Sequence, residues 1–144
     1  MNFSKISYLL LFLGCACFAQ TKHVGIWNCT DQIGDKMNLK LTSDNFFTMY
    51  DDVNSIGGVD FKIDENIRAY SKYTIDYTQK PIRLDMSIYD KSNNELKGTM
   101  HGLAEFTTDN QLKYLINFDV EAPKPTSFDD SSDSISIMNC EKAK

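Results

Sequence analysis

Apolar and polar residues alternate along much of this 144-residue chain beyond its N-terminus. In a β-strand successive side chains point to opposite faces, so each alternating stretch would turn one apolar face to a core and one polar face to water. No convincing helical period accompanies the alternation, although a short helix within residues 123–130 or after Trp27 stays open. The pattern therefore predicts an all-β protein. The alternating stretches are residues 37–42, 59–64, 73–77, 82–88 and 112–120.

Short polar segments, such as residues 43–45 (SDN) and 92–94 (SNN), separate these stretches and are typical of turns. We predict eight or nine strands joined mainly by hairpins, which is an antiparallel up-and-down meander. A flat meander would leave two long unpaired edges, whereas closure into a barrel removes both of them. The predicted strands are residues 23–29, 36–42, 45–51, 58–64, 68–77, 82–90, 95–107, 111–120 and 134–141.

Residues 1–19 have the pattern of a secretory signal peptide. A lysine lies near its start, residues 8–13 (YLLLFL) are apolar but too short to span a bilayer, and small residues at its end fit cleavage after Ala19. This predicts an exported protein, periplasmic or extracellular, with one domain of residues 20–144. Lipidation at Cys15 is the alternative. No later segment is a candidate transmembrane span.

Cleavage after Ala19 would leave Cys29 and Cys140 as the only cysteines. An exported pair with no third partner most simply forms one disulfide, with free thiols as the alternative. A metal site would need two more ligands, but the spacing of His23 and His101 fits no zinc pattern. We therefore expect no metal and no other cofactor. A disulfide needs Cα atoms within about 7 Å, so it would bring the first and last strands together, as in a closed barrel or a sandwich.

Gly25-Ile26-Trp27 at the start of the first predicted strand, followed by a β-meander, resembles the lipocalin-like (calycin) barrels. The resemblance implies that Gly25 and Trp27 form the base of the barrel, where the tryptophan packs against a late basic residue such as Lys142. The avidin group shares Gly-x-Trp, but its aromatic biotin cage has no counterpart in a chain with one tryptophan. Further motifs resemble small secreted bacterial lipocalin-like domains of unknown function, namely residues 73–76 and 81–85, Gly98, Gly102, Leu112, Lys124, Pro125 and Phe128.

Several function classes lack the residues they need. Twenty acidic against fifteen basic residues give a net charge of -5, which disfavours a nucleic-acid binder. Nucleophilic catalysis needs a positioned base, but His101 lies mid-strand on the face opposite the apolar residues. Asp51 and Asp52 would point to opposite faces, which argues against a pair of catalytic carboxylates. The acidic residues 129–133 are not followed by the glycine and glutamate that an EF-hand loop requires, which leaves loose calcium binding or a solvated loop. We therefore expect no catalytic residues and no enzyme.

The barrel interior is the remaining candidate site. An eight-stranded barrel either is filled by its own side chains or holds one small ligand, and the sequence leaves both open. An open interior would make the protein a binding protein for a small hydrophobic ligand. A filled interior favours a protein-binding module, such as an inhibitor or immunity-type protein, that acts through its loops. The oligomeric state is not predicted. The side chains expected to line a ligand are Phe47, Met49, Phe61, Tyr73, Met86, Met100, Tyr114 and Phe118.

Overall fold

The structure, a computed structural model, describes residues 21–144, and within them the chain forms eleven β-strands and no helix. The all-β prediction is therefore confirmed. The expected signal segment, residues 1–19, with Cys15 and the cleavage point after Ala19, lies outside the described residues. The strands are β1 (Gly25–Asp31), β2 (Lys36–Leu41), β3 (Phe47–Tyr50), β4 (Ser55–Gly57), β5 (Phe61–Lys62), β6 (Arg68–Asp76), β7 (Ile82–Asp90), β8 (Leu96–Met100), β9 (Gly102–Thr108), β10 (Gln111–Asn117) and β11 (Ile135–Lys142).

Pairing between the first and last strands turns the meander into a nearly closed barrel. The strand order along the sheet is β4-β3-β2-β1-β11-β10-β9-β7-β6-β5, and β8 pairs with one half of β7. β1 pairs antiparallel with β11, from Trp27 opposite Lys142 to Asp31 opposite Met138. The predicted antiparallel meander, curled into a barrel, is confirmed.

Cys29 and Cys140 form the predicted disulfide bond. The two residues are directly opposite each other in β1 and β11, their Cα atoms are 4.0 Å apart, and both are buried. The bond therefore joins neighbouring strands of the wall that are 111 residues apart in sequence. The pair provides neither free thiols nor metal ligands.

The barrel is incomplete between β3–β4 on one side and β5–β6 on the other. Individual hydrogen bonds rather than a ladder connect these edges: Tyr73 N donates to Asn45 O, and Ser71 N donates to Gly58 O, both at 2.9 Å. The buried Ser71 hydroxyl donates to Phe47 O at 2.7 Å and accepts from Gly58 N at 2.8 Å. We call this junction the seam, and Ser71 provides several of its contacts.

Eleven strands occur instead of eight or nine, partly because the strand predicted at residues 58–64 does not form. The short strands β4 and β5 take its place. Gly57 and Gly58 have φ angles of 104° and 97°, a conformation that suits glycine and that ends β4. Val59 and Ile63, whose alternation suggested a buried face, are exposed.

The strand predicted at residues 95–107 is divided at His101 into β8 and β9. Residues 86–89 of β7 pair with β8, whereas residues 82–83 of the same strand pair with β9. Gly102 allows this change of strand pairing, because a Cβ there would lie 2.6 Å from Leu84 O and 2.7 Å from Leu115 O. The glycine therefore marks a close approach of three backbone segments.

The inward side chains of the wall form one hydrophobic core cluster. On the outer wall Leu103 and Leu115 face each other across β9 and β10, yet both are fully buried. The connection at residues 118–134 covers them, because its buried Pro125 is held by Arg83, which lies opposite Leu103 in β7. The core members are Trp27, Cys29, Leu39, Leu41, Phe47, Met49, Tyr73, Leu84, Met86, Met100, Ala104, Leu112, Tyr114, Ile116, Met138 and Cys140.

Candidate functional site

Trp27, near the start of β1, is fully buried. Its Nε1 donates to His23 O at 2.8 Å. Lys142 lies opposite on β11, with Nζ 5.3 Å from the centre of the Trp27 ring, which is within cation–π range. A Cβ at Gly25 would lie 2.9 Å from Lys142 Cε, so the glycine leaves room for the lysine. Gly25, Trp27 and Lys142 are thus close neighbours, and we call this part of the barrel the barrel base.

His23 is buried beside this base, whereas the sequence suggested it only as a possible metal ligand and did not predict its burial. Its Nδ1 is 2.6 Å from the Tyr77 hydroxyl, and Lys142 Nζ holds the same segment by donating to Lys22 O at 2.9 Å. Burial, and secondarily the charge of Lys142, lower the pKa of His23, so the ring is neutral at pH 7. Burial also raises the pKa of Tyr77 to about 12. The neutral His23 and Tyr77 side chains therefore pack together at the barrel base.

Most of the side chains expected to line a ligand are packed against one another in the core. Phe47, Met49, Tyr73, Met86, Met100 and Tyr114 all belong to the core cluster. The hydroxyls of Tyr73 and Tyr114 are used there as donors, to Thr42 O at 2.6 Å and to Leu84 O at 3.2 Å. These six side chains therefore contribute to the packed core of the barrel.

The other two expected lining residues lie outside the core cluster. Phe61 is half-buried in β5, next to the seam. Phe118 is 44% exposed because β10 ends at Asn117. Phe118 N still donates to Ser134 O at 2.9 Å, and the Asn117 side-chain oxygen accepts hydrogen bonds from Asp119 N at 3.0 Å and from the Ser134 hydroxyl at 2.7 Å. Phe118 therefore lies at the end of the ladder, outside the packed core, and its exposure differs from the expectation that it lines an enclosed interior.

His101 belongs to a half-buried polar cluster on the outer wall. Asp85 Oδ1 is 3.2 Å from His101 Nδ1 and 3.1 Å from Arg83 Nη2, and it accepts a hydrogen bond from Gly102 N. His101 Nδ1 is close to the carboxylate but poorly aligned for a hydrogen bond. Arg83 Nη1 donates to Pro125 O at 2.5 Å. The cluster holds the long connection, residues 118–134, against the sheet. His101 therefore belongs to a group of side chains with a structural role.

Two of the acidic residues singled out in the sequence, Asp51 and Asp130, cap turns. Asp51 accepts hydrogen bonds from Val53 N at 2.7 Å and from Asn54 N at 2.6 Å, and these bonds lower the pKa of its carboxyl. Asp130 accepts a hydrogen bond from Thr126 N at 2.7 Å. These carboxylates shape the chain locally.

Two open cavities of the described residues stand out, and neither is lined by any of the six core side chains expected at a ligand. One, of about 350 Å³, is a depression beside the barrel base and includes His23 and Tyr77. The other, of about 850 Å³, crosses the outer wall over β2, β1, β11 and β10, with the β3–β4 turn as one border. We call this larger cavity the outer groove.

Solvent-facing side chains of neighbouring strands form two rows in the outer groove. Only the strand register makes these residues neighbours, so the alternation along each separate strand could not reveal the rows. Adjacent strands are about 4.8 Å apart. The first row is Asn38, Asn28, Glu141 and Gln111, and the second row is Lys36, Thr30, Asn139 and Lys113.

Most of these row side chains have unused hydrogen-bonding capacity. Gln111 accepts only a long contact of 3.4 Å from the Thr107 hydroxyl, and Lys113 Nζ lies 4.8 Å from the centre of the Phe128 ring. The other six side chains of the rows form no hydrogen bond or ion pair with another residue in the range 21–144. The outer groove therefore offers donors and acceptors to a bound molecule.

In the part of the chain that the structure describes, no helix has the length and apolar character needed to cross a membrane. Within the same residues no three histidine, cysteine or carboxylate side chains converge as metal ligands. Comparisons of the chain with protein-family models, with curated proteins and with solved structures find no match. A functional proposal for this chain therefore has to rest on its own sequence and geometry.

Proposed function

We propose that this protein is an exported, non-enzymatic binding protein with a filled barrel, and that its partner binds to the outer wall and loops. The observation that carries the proposal is the interior, where six of the eight side chains expected to line a ligand belong to the buried core cluster. A barrel filled in this way leaves no room for a small hydrophobic ligand. Recognition then depends on the outer surface.

A lipocalin-like fold is part of the proposal. It is supported by the barrel topology together with the meeting of Gly25, Trp27 and Lys142 at one base. Lys142 lies opposite Trp27 in the register, which supports it as the late basic residue that the resemblance implies.

Export is supported by two independent features. The N-terminal 19 residues have the signal-peptide pattern, and a disulfide such as Cys29–Cys140 persists in oxidising compartments. Processing after Ala19 would release a protein that begins a few residues before the barrel base.

The absence of an enzyme activity is supported by the surroundings of the two histidines. His23 is buried as a neutral ring against Tyr77. His101 shares Asp85 with Arg83, whose guanidinium fixes the long connection. A general base must reach a substrate proton or a nucleophile, and both rings are instead used in packing.

The test is a titration with apolar molecules, read by the fluorescence of the single tryptophan, Trp27, and by native mass spectrometry. We expect palmitate and an anilinonaphthalene sulfonate dye to cause no saturable change in Trp27 emission. The native mass spectrum of the oxidised protein should show no lipid-sized adduct. Met86→Ala, which opens a cavity in the core, is the positive control, because such cavities admit apolar molecules. One tightly bound lipid per wild-type chain would contradict the filled barrel.

A further inference from the structure

We infer that the outer groove binds a neutral, polyhydroxylated ligand, namely a segment of a carbohydrate chain. The inference deepens the proposed function and rests on it in one respect, that binding occurs on the outer wall. It adds the chemical class of the ligand and the side chains that contact it.

The mixture of polar groups in the two rows matches a ligand rich in hydroxyl groups. A sugar hydroxyl both donates and accepts hydrogen bonds. Asn28, Asn38 and Asn139 offer both functions in one amide, Glu141 offers acceptors only, and lysine offers donors only. Since most of these groups have no partner within the described residues, a ligand would not have to displace existing protein hydrogen bonds.

The dimensions of the outer groove also suit a short oligosaccharide. Its volume of about 850 Å³ lies in the range of small-molecule sites. Each row crosses four strands, from β2 to β10, so it extends over about 14 Å at the usual strand spacing. An extended ligand could therefore lie across the strands and contact both rows.

The charges of the outer groove argue against other ligands. Lys36 and Lys113 are nearly balanced by Asp51, Asp52 and Glu141, so the groove neither attracts a polyanion such as nucleic acid nor strongly attracts a polycation. An apolar molecule would desolvate the row side chains without replacing their hydrogen bonds with water. A neutral polar ligand avoids both costs.

Half-buried aromatic rings lie near the two ends of the rows. Tyr50 of β3 is opposite Asn38 and so continues the first row. Phe128 lies against Lys113 at the end of the second row. Each ring adds an apolar surface on which the C–H face of a sugar ring can pack.

The experiment is a titration of the isotope-labelled, oxidised protein with five hexasaccharides, built from β-1,3-glucose, β-1,4-glucose, xylose, mannose and N-acetylglucosamine. Chemical shifts of the side-chain amides of Asn28, Asn38, Gln111 and Asn139 report the groove. We expect saturable shifts confined to the groove with at least one hexasaccharide. Asn28→Ala should weaken that binding about five- to tenfold, as expected for one lost hydrogen bond. Thr74→Ala, an exposed change on β6 outside the groove, should leave it unchanged.

The same titration with an extended peptide of alternating lysine and valine separates the ligand class from the proposed function. Groove shifts with the peptide and none with the hexasaccharides would overturn the carbohydrate inference but leave outer-wall binding standing. Binding that Asn28→Ala does not weaken, in a variant with wild-type thermal stability, would also overturn it. A silent groove together with a lipid bound inside the barrel would overturn both.

Discussion

Removing the Cys29–Cys140 disulfide should strongly destabilise the barrel. The bond spans 111 positions of sequence, for which the chain-entropy model gives about 4–5 kcal/mol. Unfolding entropy is about 2.1 cal/mol/K per residue, so for a domain of this size each kcal/mol corresponds to about 4 °C in Tm. Reduction should therefore lower Tm by about 15–20 °C. The ladder between β1 and β11 remains after reduction, but it does not restrict the unfolded chain.

The measurement compares three samples by thermal and urea unfolding, with Trp27 fluorescence as the signal. These are the oxidised wild type, the reduced wild type and the double variant Cys29→Ala with Cys140→Ala. The reduced protein keeps both sulfur atoms, so it isolates the effect of the covalent link. The double variant adds the loss of packing at two buried positions and should be the least stable of the three.

The reasoning is refuted if the reduced wild type unfolds within about 1 kcal/mol of the oxidised protein, since a link across so long a loop cannot be that weak in the entropic account. Peptide mapping supplies a second check. If both thiols are free in protein recovered from the cell envelope, then β1 and β11 are not linked, and the covalent closure of the barrel is wrong.

Four further results are expected. Ser71→Ala should lower the free energy of unfolding by about 1–3 kcal/mol in urea titrations, because the buried seam loses a hydroxyl that donates and accepts; an equal effect of the exposed control Thr74→Ala would contradict this. Gly102→Ala should cost about 2–3 kcal/mol or more, because its Cβ would meet two backbone oxygens; unchanged stability would place β8 and β9 differently. Since the pKa of His23 is lowered from 6.5 in the folded protein, the unfolded chain takes up the proton first as pH falls, so stability should decrease from about pH 6.5 downward. His23→Asn should reduce that decrease between pH 7 and pH 5, and an unaltered pH profile would show that His23 is not buried as a neutral ring. Finally, intact-mass measurement of the protein from the cell envelope should show a chain that starts at Gln20. A chain that starts at a diacylglycerol-modified Cys15 would contradict this and would mean that the protein is anchored to a membrane.

Alternation predicts strands well where both neighbours of a strand are present. The predicted strand at residues 82–90 has the bounds of β7, because its apolar residues face the core between two paired strands. The same alternation at residues 58–64 fails, because this segment lies at the seam, where few partners cover its apolar side chains. Val59 is consequently 61% exposed. Local pattern alone does not reveal which part of a meander borders the opening of its barrel.

The candidate site was harder to predict because it depends on register and on packing. Asn28, Asn38 and Asn139 are each ordinary polar positions of separate strands, and only the pairing of β1 with β2 and β11 makes them neighbours. Whether Met86 and Met100 fill the barrel or line a cavity depends on how closely they pack, since methionine suits both uses. The disulfide, by contrast, could be predicted from the cysteine count.

The central claim, a barrel filled by its own side chains, is tested most directly by a crystal structure of the oxidised protein under xenon pressure. Xenon enters apolar cavities that are otherwise empty. We expect no xenon atom among Met86, Met100 and Tyr114, while crystals of Met86→Ala should hold one at that place. An ordered xenon atom or a lipid inside the wild-type barrel would contradict the filled interior and return the binding site to the inside of the barrel.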